Sequence, residues 1–351
     1  MSYLETDLND RDLEAQLPQV ILHLGAHKTG TTSVQRSLRN SSDALEREGW
    51  VFQGKRIGPL TDSLSDLHRP AGAGRPDDDA IMAHIRASAH AVIAAGRRLV
   101  ISDETLIGQP GLRDSFYPDS LRRLEILAGA LSGLAVRPLL VVRRQPDFVE
   151  SWYVQTVKQG AGWAFDDFLA GVDPDRLSWW DLSQRIANAF ATTPQLVAYE
   201  WLIRQEYGLT GWFRQQLGLP ARSETGVPDL NSGYGDGALM VALAAHPYLD
   251  ADGRAKLRRF LERNVPPRAD DPLRLLSLDG RRRLVAAQAV SNEQCFAAGA
   301  VADSDVIASY LGHQPSAEAE SPLHDECWSA RRAALETWSE VASWSHRPGD
   351  D

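Results

Sequence analysis

A chain of 351 residues, 43% hydrophobic and 24% charged, has the make-up of a globular protein with one large domain or two average ones. A formal net charge of −10 argues against non-specific binding to nucleic acid, and two cysteines, Cys295 and Cys327, are too few for a disulfide framework. Residues 1–18 are acidic and polar, without the basic start and apolar run of a signal peptide, and no later stretch is long and apolar enough to span a membrane. A cytoplasmic protein with a flexible leader is the expectation.

The predicted elements begin with an apolar strand over 19–24 and a helix over 30–39, whose Val34 and Leu38 can face a sheet. A short helix over 43–48 stops at Gly49, and Trp50-Val51-Phe52 reads as a short strand. Residues 53–78 carry several Gly and Pro and read as a long irregular connection containing His68. Ile81, Met82, Ile85, Ala89, Val92 and Ile93 recur at helical spacing up to Gly96, and a buried strand follows at 99–101. A helix over 119–131 sets Leu121, Leu124, Leu127 and Leu131 on one face, and Leu139-Leu140-Val141-Val142 is the most strand-like run in the chain. It leads into a helix opened by Pro146. Helices over 165–170 and 179–190, a strand over 195–199 and a helix over 210–217 come next. Residues 218–237 read as loop, with a turn signal at Asn231-Ser232-Gly233. Only helical patterns follow, among them 255–263, 303–311 and a Trp-rich helix in the tail, 313–351. Alternating strands and helices over the first 160 residues predict an α/β fold: a central parallel sheet flanked by helices in three layers, P-loop-like, with a mostly helical C-terminal part.

Chemistry concentrates where strands end. After the first strand comes Gly25-Ala26-His27-Lys28-Thr29-Gly30-Thr31-Thr32-Ser33, a glycine-bounded turn running into a helix. The unpaired N–H groups of that helix start, the Lys28 ammonium and the Thr31 and Thr32 hydroxyls together suit a phosphate or sulfate ester. In a Walker A loop the Lys directly follows the second Gly; here Lys28 precedes Gly30 by two residues. Arg143 ends a later strand and Ser151 lies eight residues on, upon the next helix, so both can reach one anion from the carboxyl edge of the sheet. Glu104 follows the strand at 99–101, where open α/β sheets place their ligands.

The loop His27 to Thr32 resembles the 5′-phosphosulfate loop of sulfotransferases, and the run Val142 to Tyr153 resembles their 3′-phosphate motif. The likeness covers residues 19–312 and is nearest the bacterial carbohydrate-type or natural-product branch. It implies 3′-phosphoadenosine-5′-phosphosulfate (PAPS) as co-substrate, the bisphosphate PAP as product, and no metal. His27, Lys28, Thr29, Gly30, Thr31, Thr32 and Ser33 are then expected to hold the 5′ side, Arg143 and Ser151 the 3′-phosphate, and Tyr199 to lie near the adenine. Lys28 would steady the leaving phosphate and Glu104 would act as general base, with Asp103 and His68 as alternatives. Three departures stand out. Arg144 replaces a common Asn, Ser33 stands where animal cytosolic members carry a Trp, and the glycine- and lysine-rich C-terminal motif of those enzymes is missing. The acceptor is expected to be a carbohydrate, lipid or small natural product, with homo-oligomerisation open. A nucleotide kinase or NTPase, and a non-catalytic nucleotide-binding protein, are the competing readings.

Overall fold

The computed structural model describes residues 18–69, 75–221, 234–265 and 273–312. The leader, the Asn231-Ser232-Gly233 turn and the Trp-rich tail fall on residues outside that set, apart from Pro18. In chain order come β1 (Val20–His23), α1 (Thr31–Asn40), α2 (Ser42–Arg47), β2 (Trp50–Gly54), α3 (Thr61–His68), α4 (Asp78–Ala94) and β3 (Arg98–Ser102). A single 3-10 turn, Glu104–Ile107, precedes α5 (Ser120–Ala130), β4 (Val136–Val142), α6 (Gln145–Lys158), α7 (Phe165–Leu169), α8 (Trp179–Phe190) and β5 (Gln195–Ala198). The C-terminal part is helical: α9 (Tyr199–Leu202), α10 (Gly208–Gln215), α11 (Asp236–Ala245), α12 (Ala251–Asn264), α13 (Leu278–Ala297) and α14 (Ser304–Leu311).

Among the described residues the strands form one parallel sheet in the order β2-β3-β1-β4-β5. β1 sits in the middle because its residues are buried on both faces. Val20, Leu22 and Leu24 point into one apolar cluster with Leu99, Ile101, Leu140 and Val142, covered by α3, α4, α5 and α8. Ile21 points the other way, to Val100, Leu139, Val141 and Val197 under α1 and α10. Each such side chain contributes about 1.5–3 kcal/mol on burial. β3 and β4 flank β1 on opposite sides, so the chain reverses its winding direction there, and the crevice beyond the carboxyl ends of those strands is a natural ligand site. A third apolar cluster lies outside the sheet layers: Tyr153, Val154 and Val157 of α6 pack on Tyr234 and on Ala238, Leu239, Leu257 and Leu261 of α11 and α12.

Four local expectations need correction. Residues 53–78 are not irregular throughout: α3 occupies Thr61–His68, because Leu60, Leu64 and Leu67 recur at intervals of four and three and all are fully buried. His68 therefore ends a helix instead of lying in a polar loop. Leu121 is 55% exposed, whereas Leu124, Leu127 and Leu131 are buried, so the α5 stripe is narrower than four leucines. Tyr199 opens α9 and does not close the preceding strand.

Candidate functional site

The loop after β1 is held by the strand beside it. Leu24 N–H donates to Leu139 O at 3.0 Å and Ala26 N–H to Val141 O at 2.9 Å, so pairing with β4 continues past the end of β1. The turn then needs left-handed backbone at Gly25 (φ 93), Lys28 (φ 64) and Gly30 (φ 81). A Cβ on Gly25 would come within 2.8 Å of Glu104 Cβ, so glycine lets the two strand tips touch. Lys28 is no glycine, and its conformation costs on the order of 1 kcal/mol. Several contacts hold it there. Thr29 Oγ1 donates to Ala26 O at 2.7 Å, His27 N–H donates to the buried Tyr117 hydroxyl at 3.1 Å, and Arg143 Nη1 donates to Lys28 O at 2.7 Å. Lys28 Nζ reaches Gln155 Oε1 of α6 at 3.2 Å.

A cleft of about 870 Å³ opens over these tips. Of the expected residues, His27, Lys28, Gly30, Thr31, Thr32, Ser33, Glu104, Arg143, Ser151 and Tyr199 all line it. Thr29 is not brought to it: its side chain is buried and spent on the Ala26 carbonyl. α1 carries no side-chain cap, so its first N–H groups are left to a ligand or water. Arg143 lies with Cζ 5.1 Å from the centre of the Tyr199 ring, a cation–π contact that fixes its plane. Its Nε is buried without a hydrogen-bond partner among the described residues, and so is Nε2 of His27. Burial lowers the His27 pKa to about 3, with Lys55 adding to the effect, so the ring is neutral. The Tyr117 hydroxyl accepts from His27 N–H and sits 3.2 Å from Nδ1; its one proton, given to Nδ1, leaves the ring hydrogen on Nε2.

No protein-family model matches this chain, and no curated protein matches it.

The adjacent carboxylates of Asp103 and Glu104 part company in the 3-10 turn. Asp103 is fully buried and does not line the cleft. Its Oδ1 accepts from Thr105 N–H at 2.8 Å and Thr105 Oγ1 at 2.7 Å, and its Oδ2 lies 3.0 Å from His68 Nε2. Burial pushes the Asp103 pKa up, but His68 and Thr105 outweigh it and hold the group below its ordinary value. Arg123 Nη1 lies 3.2 Å from His68 Nδ1 and can only donate, so Nδ1 accepts and Nε2–H donates to Asp103. Both imidazole nitrogens are thus occupied, and His68 does not line the cleft. Glu104 does. Its Oε2 accepts from Gln35 Nε2 at 3.2 Å, and burial, reinforced by Asp103, raises its pKa, only partly offset by Lys55 and Gln35.

The Arg143 side of the cleft rests on a buried ionic network. Asp147 Oδ2 accepts from Arg144 Nε at 2.7 Å, and Oδ1 from Arg281 Nη2 at 2.6 Å and Arg274 Nη1 at 3.3 Å. Burial opposes ionisation of Asp147, but Arg144 and Arg281 bring its pKa down to about 2. Glu150 accepts from Leu275 N–H, Leu276 N–H and Arg281 Nη1, tying α6 to the start of α13. Glu200 accepts from Arg144 N–H and the Tyr310 hydroxyl, so it supports β4 and does not face the cleft. Tyr117, Gln35 and Lys55 escaped the sequence reading. Of these only Gln35 carried a signal there, as a polar residue on an otherwise sheet-facing helix. No group of three or more His, Cys, Asp or Glu among the described residues could hold a metal ion, and no helix among them could cross a membrane.

Proposed function

We propose that this protein is a sulfotransferase that moves a sulfuryl group from PAPS to a hydroxyl or amine of a carbohydrate, lipid or small natural product. One observation carries the reading: Arg143 Nη1 donates to the carbonyl of Lys28, 115 residues away in sequence, so two separately read anion-binding tips share one cleft. The groups they present are donors: Lys28 Nζ, the N–H groups of α1, His27 Nε2, Arg143 Nε and the Ser151 hydroxyl. The buried unpartnered nitrogens fit the oxygens of a bis-phosphorylated nucleotide, since each would otherwise cost free energy unmet. Tyr199 offers a flat face at the same end.

The bound donor supplies an activated sulfuryl group on its 5′-phosphate. Glu104, its pKa raised yet open to the cleft, accepts the proton of the acceptor as the acceptor oxygen or nitrogen bonds to sulfur. The bond from sulfur to the bridging oxygen breaks, and that electron pair stays on the 5′-phosphate. Lys28 and the amides of α1 are placed to hold the charge gathering there.

The test is calorimetry with adenosine 3′,5′-bisphosphate in excess chelator. The expected result is binding without Mg²⁺, weakened at least ~100-fold by Arg143→Ala, which removes a bidentate charge-assisted donor. Absence of bisphosphate binding would overturn the assignment, and Mg²⁺-dependent ATP binding in its place would turn it to a kinase or NTPase.

A further inference from the structure

α6 measures the cleft. Ser151, Gln155 and Lys158 lie on one stripe of that helix at intervals of four and three, and all line the cleft. Ser151 marks the phosphate end. Gln155, bonded to Lys28, marks the place of transfer. Lys158 lies three residues further on, about 4.5 Å along the axis at 1.5 Å per residue. Whatever occupies that far end stands beyond the point of transfer, away from the nucleotide.

The far end is walled by Tyr234, Lys158, Arg258 and Glu262. Tyr234 is 3% exposed, anchored in the apolar cluster of α6, α11 and α12, and its hydroxyl has no hydrogen-bond partner among the described residues. Arg258 and Glu262 stand four apart on α12, the spacing of an ordinary helical ion pair. Glu262 turns away instead and binds Lys158 Nζ at 2.7 Å, and Lys158 sits 5.4 Å over the Tyr234 ring. Arg258 is left in the cleft wall with no ion-pair partner among the described residues. α12 has five cationic residues (Arg254, Lys256, Arg258, Arg259, Arg263) against two acidic ones (Asp252, Glu262), in a chain of net charge −10. Both Arg258 and Glu262 act on the Tyr234 hydroxyl: burial raises its pKa first, Glu262 adds to this and Arg258 opposes it.

We infer that the acceptor is itself an anion: a molecule whose carboxylate or sulfate ester is bound by Arg258 while the Tyr234 hydroxyl donates to a neighbouring oxygen. Resting on the sulfotransferase reading, it narrows the substrate class to acidic sugars and acidic phenols. Glu262 neutralises Lys158, so that among the described residues at this end Arg258 is the cation left for an anionic group.

The test uses protein saturated with the bisphosphate and two probe sets whose members differ at one group, anionic or neutral: glucuronate and glucose 6-sulfate against glucose, and 4-hydroxybenzoate against 4-hydroxybenzyl alcohol. The expected result is at least ~10-fold tighter binding of the anionic member in one set or both, a difference of about 1.4 kcal/mol. The two anionic hexoses tell carboxylate from sulfate. Arg258→Gln should erase that preference, and Tyr234→Phe should weaken the anionic member severalfold, both with bisphosphate affinity unchanged. Equal behaviour of charged and neutral members in both sets, including no detectable binding of any, overturns the inference, as does a preference that survives Arg258→Gln. Failure of the unmutated protein to bind the bisphosphate sinks the sulfotransferase reading instead, so the two failures are told apart.

Discussion

At the end of the cleft over β1, β3 and β4, each key polar group hangs from a strand tip and is fixed by a bond to a neighbouring element. Lys28 is held through Arg143, His27 through Tyr117, and Glu104 through Gln35. At the end over α11 and α12, polar groups stand on or beside helices held by apolar packing: the buried Tyr234 hydroxyl has no hydrogen-bond partner among the described residues, and Arg258 lacks the partner its spacing would supply. At the first end, among the described residues, these groups have partners, while His27 Nε2 and Arg143 Nε have none. The second has polar capacity to spare, as suits a site where bonding is completed by what binds. The contrast teaches that a shared scaffold can hold one half of a site to fixed geometry and leave the other half to vary.

The sharpest way to break this contrast is at the paired carboxylates. Glu104→Gln should lower turnover at least ~100-fold while bisphosphate affinity stays put. Asp103→Asn should act through stability, losing about 1–3 kcal/mol in chemical denaturation as the bonds from His68 and Thr105 are disturbed. Near-normal turnover in Glu104→Gln removes Glu104 as base. The acid limb of turnover against pH should also lie above the ordinary carboxylate range, following the raised pKa of Glu104.

pH probes the strand-tip end as a whole. Burial holds the pKa values of His23 and His27 at about 3, against 6.5 in the unfolded chain. Below pH 6.5 the unfolded state therefore takes up protons that the folded state refuses, and stability falls as pH falls. One pH unit lower, the pair should have lost about 2–3 kcal/mol, at ~1.4 kcal/mol per unit for each fully titrating group. Glu104 and Glu150, whose pKa values are raised, act with the opposite sign, since their cost grows as pH rises above the unfolded carboxyl value. Melting curves between pH 7.5 and 5.5 check the balance: a midpoint that falls toward pH 5.5 means that the two imidazoles outweigh the carboxylates, and one that rises means the reverse.

The gentlest comparison sets one tyrosine against another. Tyr117→Phe removes the acceptor of His27 N–H and should cost about 1 kcal/mol. Tyr234→Phe removes a hydroxyl that bonds to nothing among the described residues, and should leave the denaturation midpoint unchanged or slightly raised. A large loss at Tyr234 would show its hydroxyl to be structural and would level the difference between the two ends.

Much of the strand-tip end is legible in the residues themselves. A run of apolar residues followed by Gly25 and Gly30 can form few things besides a strand, a turn and a helix start, because backbone preference is local. The spacing of Arg143, Pro146 and Ser151 is local in the same way. Where Gly and Pro crowd the chain, as around α3, the stripe of Leu60, Leu64 and Leu67 goes unheard although it is regular.

The chain by itself determined the alternation of strand and helix, the position of the glycine-bounded loop, and the pairing of an arginine at a strand tip with a serine on the next helix. All of these depend on contacts within a few residues. Only the tertiary structure decided that Asp103 is spent on His68 while Glu104 faces the cleft, that Tyr117 holds the loop, and that Glu262 abandons Arg258 for Lys158. Those outcomes turn on burial and on partners between 35 and 104 residues away, whose distance in space no local pattern encodes.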